Sequence, residues 1–205
     1  IPYATTPKTT TSSTSSSSDE ELILNPIIDL SGWQLPQDID YDVLSNHISG
    51  AIVRVFGGSL ISKDSNAASS NGVDKSFKTH IKELKKRDIP VAVYSYAQGT
   101  SVKEMKEEAR IFYKNASPYK PTYYWIDIEE ETMSNMEQGV QAFLAELKRL
   151  GAEKVGLYIG AYFMLEQEVS TKNFDAVWIP AYGTDSGYYE ALPNTEIDYD
   201  LHQYT

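Results

Sequence analysis

Tyr123-Tyr124-Trp125-Ile126-Asp127-Ile128-Glu129 is the stretch on which the reading of this 205-residue chain turns. Its aromatic and apolar run predicts a buried strand over residues 123–128 that delivers two carboxylates at its carboxyl end. Successive strand residues face opposite sides, so Asp127 and Glu129 share a face, about 6 to 7 Å apart along the strand. If that face is the inside of a barrel, Tyr123 and Trp125 line the column beneath them.

Outward from this stretch, short apolar runs alternate with helical patterns, the signature of a β/α architecture. Further strands are predicted at 26–30, 51–56, 91–96, 155–159 and 176–181, with a short last one at 201–204. Val73, Phe77, Ile81 and Leu84 fall at helical spacing and stop near Asp88, ahead of Pro90. Ser101-Val102-Lys103-Glu104 is a capping box for a helix that turns Val102, Met105, Ala109 and Phe112 to one side. A third helix over 135–150 buries Met136, Val140, Phe143 and Leu147 and ends at Gly151. Residues 59–72, rich in Ser, Asn and Gly, read as a long loop. The expectation is a single α/β domain, a TIM-like barrel, whose active groups sit at the carboxyl ends of the strands. The first strand carries Asp29 toward its end, so three carboxylates can converge at one mouth.

Composition narrows the function. Lys plus Arg is 18 against 29 Asp plus Glu, a net charge of −11, which offers nucleic acid no basic footprint and argues against anionic lipid. No apolar run approaches the roughly 20 residues of a membrane span. There is no cysteine, which removes disulfides, thiol nucleophiles and thiolate metal sites, and only three histidines remain, His47, His80 and His202. His47 and His80 lie in helical segments and read as surface or packing residues. The first residues are nearly all Ser, Thr, Pro, Ala or Lys, with too little apolar area to offset the entropy of ordering them. Residues 1–21 are therefore expected to be a disordered Ser/Thr-rich tail and 22–205 the barrel, with strand addition of the tail to an open edge as the other route.

Two carboxyl groups flanking a glycosidic oxygen can supply a proton donor and a group that stabilises positive charge at the anomeric carbon. Like charges at close range push their pKa values apart and keep one group protonated near neutrality. A lone Asp-x-Glu is common at strand ends, so the residues alone leave the chemistry open. A barrel that only holds glycan fits them, as does a metal-dependent hydrolase with Asp29, Asp127 and Glu129 as oxygen ligands for Mg²⁺ or Ca²⁺. Arg54, inside an apolar strand, needs an acidic partner, and Asp29 and Asp127 fit equally.

Six segments carry more. Ile28-Asp29-Leu30-Ser31-Gly32-Trp33-Gln34, the strand of Arg54, Tyr94-Ser95-Tyr96, Trp125-Ile126-Asp127-Ile128-Glu129, Val177-Trp178-Ile179-Pro180-Ala181-Tyr182-Gly183 and Leu201-His202-Gln203-Tyr204-Thr205 together resemble glycoside hydrolase family 25, the Chalaropsis-type lysozymes of bacteria and phages. The resemblance runs from about Pro26 to the end. It implies an irregular (β/α)₅β₃ barrel and N-acetylmuramidase activity on peptidoglycan glycan strands, with no cofactor and no metal. By match of position, Glu129 would be the general acid/base. Asp127 would orient the substrate's 2-acetamido group or stabilise the intermediate, and Asp29 would join the same cluster. Tyr94, Tyr96, Trp125, Trp178 and Tyr182, with Arg54, are the expected sugar contacts. A secreted or cell-wall-associated monomer, from a Gram-positive bacterium or its phage, is the expectation. The sequence departs from the pattern at Tyr94-Ser95-Tyr96, where a Tyr-His is common, and at His202, where a Trp is common. The family also continues past the last motif to a strand ending near an Asp, whereas this sequence stops at Thr205, so the barrel is expected to be cut short or to close differently.

Overall fold

The computed structural model of the chain describes residues 2–5, 25–57, 65–190 and 192–205. After a short first strand, β1 (Pro2–Thr5), come β2 (Ile27–Leu30), β3 (Gly50–Gly57), β4 (Val91–Tyr96), β5 (Tyr124–Ile128), β6 (Val155–Ile159), β7 (Ala176–Pro180) and β8 (Leu201–Gln203). From β2 to β8 each strand pairs parallel with the next, giving one curled seven-stranded sheet. Helices α1 (Tyr41–Ser45), α2 (Phe77–Lys85), α3 (Val102–Ala116), α4 (Met136–Leu150) and α5 (Ala161–Glu166) fill the first five crossovers. Strand β1 runs antiparallel to both β2 and β8 and closes the ring.

Sequence chemistry accounts for the helix starts. Ser101 Oγ accepts the Glu104 N–H at 3.2 Å, as the capping box predicts, and Asn135 Oδ1 accepts the Gln138 N–H at 2.9 Å. The period-2 alternation of the strands divides the apolar residues into two layers. Val53, Ile126, Phe112, Phe143 and Leu147 fill the space between strands and helices, while Ile52, Ala92, Trp125, Trp178 and Leu201 fill the barrel interior. Trp125 fits there because Gly156 lies opposite: a Cβ on that glycine would stand 2.3 Å from the indole ring.

The structure differs from the sequence reading in three places. Val73 bridges Phe56 ahead of α2 instead of opening the helix, which begins after Ser76. The short helices α1 and α5, of 5 and 6 residues, show no long periodic pattern to read. Residues 2–5 take the strand-addition route, against the expectation of a wholly disordered tail, and the remainder of that tail lies outside the described residues. Their antiparallel strand takes the eighth place in the ring, between β8 and β2, where the family pattern leads one to expect a further strand after the last motif. Among the described residues no helix is long and apolar enough to cross a membrane.

Candidate active site

The parallel register sets Tyr96, Asp127, Tyr158 and Trp178 side by side across β4, β5, β6 and β7. At this level, on the carboxyl ends of the strands, a cleft of about 340 Å³ opens. Asp29, Asp127 and Glu129 all line it, as the strand-end reading requires, and so do Arg54, Tyr94, Trp178 and Tyr182. Tyr96 instead sits at the rim, where its hydroxyl donates to Glu130. Trp125 does not reach the cleft. It is buried in the barrel interior, stacked on Tyr123 with centroids 5.5 Å apart and edge-on to Trp178, and it lines a separate apolar cavity with Ile27, Ala92 and Leu201. Two residues along a strand is about 6.6 Å of depth, enough to turn a sugar contact into barrel core.

Arg54 is also placed differently. Its Nε donates to Asp74 Oδ2 at 3.0 Å, a carboxylate from the loop before α2 instead of Asp29 or Asp127. Asp74 is buried, and its two oxygens also accept the Gly32 N–H at 2.7 Å and the Ser76 N–H at 2.8 Å. One carboxylate thus fastens the exit of β2, the cation of β3 and the start of α2. His80 is fully buried nearby and bonds the carbonyl of Ser31 through Nε2 at 3.0 Å. A carbonyl only accepts, so Nε2 carries the hydrogen, leaving Nδ1 to accept from the Tyr41 hydroxyl at 2.6 Å.

Arg54 is thereby engaged by Asp74, and among the described residues none of the three carboxylates forms an ion pair. Burial raises the Asp29 pKa to about 6, against the attraction of Arg54 and with the repulsion of Glu129. Asp127 is raised well above the carboxylate range, first by burial, then by the charge of Glu129, to which it is hydrogen-bonded. Glu129 is raised too, by desolvation and by Glu130, while the bond from Asp127 opposes the shift. The bond raises Asp127 and lowers Glu129, which makes Asp127 its donor and Glu129 its acceptor. Asp127 Oδ1 is buried and meets no hydrogen-bond partner, an acceptor waiting for an N–H or O–H.

Next to them, on β6 and beyond, the hydroxyls of Tyr158 and Tyr182 both donate to Gln203 Oε1, the latter at 2.8 Å. Tyr158, Gln203, Ser31, Trp33 and Gln34 complete the wall, and the sequence reading did not name them as contacts. Tyr158 could have been found from its place two residues past Gly156 on an inward face, and Gln203 from its strand-end position on β8. Among the described residues no three His, Cys, Asp or Glu side chains are arranged to hold a metal ion.

Comparison with known proteins agrees with this geometry. The model of a family described as "Glycosyl hydrolases family 25" matches residues 28–205. Among solved structures, GHIP, a glycosyl hydrolase 25 of Streptococcus pneumoniae described as a virulence factor in host cell invasion, is 56% identical over 88% of this chain and 79% of its own, with a TM-score of 0.86. The catalytic domain of endolysin ply40, from bacteriophage P40 of Listeria monocytogenes, is 26% identical, covering 89% of this chain and 85% of its own at a TM-score of 0.73. A family 25 glycosyl hydrolase from Bacillus anthracis shares the fold at 19% identity and a TM-score of 0.60, over 87% of this chain and 77% of its own. No curated protein matches the chain.

Proposed function

The chain belongs to glycosyl hydrolase family 25 and is a glycoside hydrolase, and on that premise we propose that it is a lysozyme-type N-acetylmuramidase. It cleaves the β-1,4 bond between N-acetylmuramic acid and N-acetylglucosamine in peptidoglycan, at the cell wall, as a monomer without a cofactor. The observation that carries this reading is the Asp127–Glu129 pair, a buried carboxyl hydrogen-bonded to one at the rim of an open cleft.

In this reading the substrate decides where the shared proton rests. As the acetamido N–H of the muramic acid reaches the unpartnered Oδ1 of Asp127, Asp127 passes its proton to Glu129. Glu129 gives that proton to the glycosidic oxygen as the bond from that oxygen to C1 breaks, releasing the 4-hydroxyl of N-acetylglucosamine. The acetamido oxygen bonds to C1 in the same step, and the Asp127 anion offsets the charge of the resulting oxazolinium ion. Glu129 then takes a proton from the water that opens this ring, so the configuration at C1 is retained.

Incubation with purified peptidoglycan followed by borohydride reduction tests the bond that is cut: muramitol is expected, and glucosaminitol overturns the assignment. A first-formed α-anomer by NMR would remove retention. Binding without any new reducing end would favour the glycan-holding barrel, and loss of activity in chelator the metal-dependent one.

A further inference from the structure

Trp33 is the most exposed of the three tryptophans, 63% accessible where Trp125 and Trp178 are 3%. An indole left in water sacrifices a large hydrophobic contribution, and here the surrounding backbone holds it there. The Trp33 N–H donates to Ser31 Oγ at 3.2 Å, and the Ser31 carbonyl accepts the Gln34 N–H at 3.1 Å. The same carbonyl takes the hydrogen of buried His80, and Gly32 between them is pinned by Asp74. A Cβ on Gly32 would stand 2.2 Å from the Ala67 carbonyl oxygen, so the loop is pressed against its neighbour and cannot settle inward.

Gln34 is oriented with equal definition. Its Oε1 accepts from the Ser31 N–H at 2.9 Å and from the Ser31 hydroxyl at 3.2 Å. A backbone N–H can only donate, so the oxygen of the amide must face Ser31 and the NH₂ must face the other way. Both Trp33 and Gln34 line the cleft that contains Asp29, Asp127 and Glu129.

We propose that this exit loop of β2 is a preformed sugar-binding shelf that sets the register of the glycan strand. Trp33 stacks on the apolar face of one pyranose, and Gln34 Nε2 donates to the acyl carbonyl carried by that sugar. The shelf rests on the muramidase reading for the identity of the glycan, but its geometry is independent of which carboxyl is the acid. Because the loop is already fixed, little conformational entropy is lost when the sugar arrives. The shelf holds ground state and transition state alike, so it acts on KM more than on kcat.

The test uses a soluble tetrasaccharide of alternating N-acetylglucosamine and N-acetylmuramic acid. Its binding to the Glu129→Gln protein is followed by acrylamide quenching of tryptophan emission. The quenchable emission belongs to Trp33, since the other two indoles are buried, and saturating tetrasaccharide is expected to protect it. Trp33→Ala opens no cavity at so exposed a site; it should raise KM roughly tenfold with kcat within about twofold, and Trp33→Tyr should recover most of the loss. Gln34→Glu keeps the bond to Ser31 but replaces the donor with an acceptor, and should raise KM several-fold. Protection without hydrolysis by the wild type would remove the muramidase reading and leave the shelf. Hydrolysis with unprotected emission and an unchanged KM in Trp33→Ala would remove the shelf and leave the muramidase reading.

Discussion

Replacing Asp29 by Asn should make the protein more stable at alkaline pH while making it a poorer enzyme. In the folded protein this carboxyl titrates near 6 instead of 3.8, chiefly because it is buried. Holding it as an anion in the fold therefore costs about 3 kcal/mol relative to the unfolded chain. The sign follows from the raised value. Below pH 3.8 both states carry the protonated acid and nothing is lost; as pH rises through 6, folding must accommodate the charge and stability falls. Asn has the same shape and no charge, so the difference between variant and wild type should grow from near zero at pH 4 to its full size by pH 8. Asp29 is partly open to the cleft, and solvent screens some of the cost. For a chain of this length a gain of about 3 to 6 °C in melting temperature at pH 8 is expected. The same variant should hydrolyse peptidoglycan on the order of 10²-fold more slowly, having lost a negative charge facing the developing cation. Calorimetric melts of both proteins across pH 4 to 8 provide the measurement. An equal difference at both ends of the range, or a variant less stable at pH 8, would refute the account.

Glu129→Gln should lower kcat by 10²-fold or more while leaving sedimentation with insoluble peptidoglycan intact; lysis at near the wild-type rate would show that another group is the acid. Asp74→Ala strands Arg54 beside the cleft and frees the loops that Asp74 joins, and should cost about 3 to 5 kcal/mol in a denaturant melt. Gly156→Ala drives a methyl group into the Trp125 ring and should destabilise by about 1 to 3 kcal/mol, with near-ultraviolet circular dichroism reporting the displaced indole.

What was legible in the sequence is what periodicity and punctuation encode. The bounds of β4 and β6 agree with the apolar runs because Pro90 and Lys154 precede them and Gly160 follows β6, and Asp127 and Glu129 both reach the cleft because the alternation of β5 carries on to the residue just past its end. What was not legible depends on depth and on partners distant in sequence. Trp125 has the right type and face for a sugar contact, but only the barrel shows that it sits one layer too deep, with the space supplied by Gly156. The partner of Arg54 was hidden because Asp74 adjoins a Ser/Asn/Gly-rich stretch whose composition says loop and nothing about contacts. Strand β1 pairs with a segment at the opposite end of the chain, which no local pattern can announce.

The ring order has a consequence for how the molecule is assembled. Each parallel pair joins neighbours in sequence, and the Asp74 clamp joins segments only 20 and 42 residues apart, so the first β/α units can condense on one another at small cost in loop entropy. The pairing of Tyr3 with Gln203 is of another kind, since it joins residues 200 positions apart in the sequence. It must await β8, and Gln203, which receives the hydroxyls of Tyr158 and Tyr182, arrives with that strand. On this loop-entropy argument the wall beside the carboxylates is expected among the last parts to form, and without β8 the cleft lacks Gln203 from its lining.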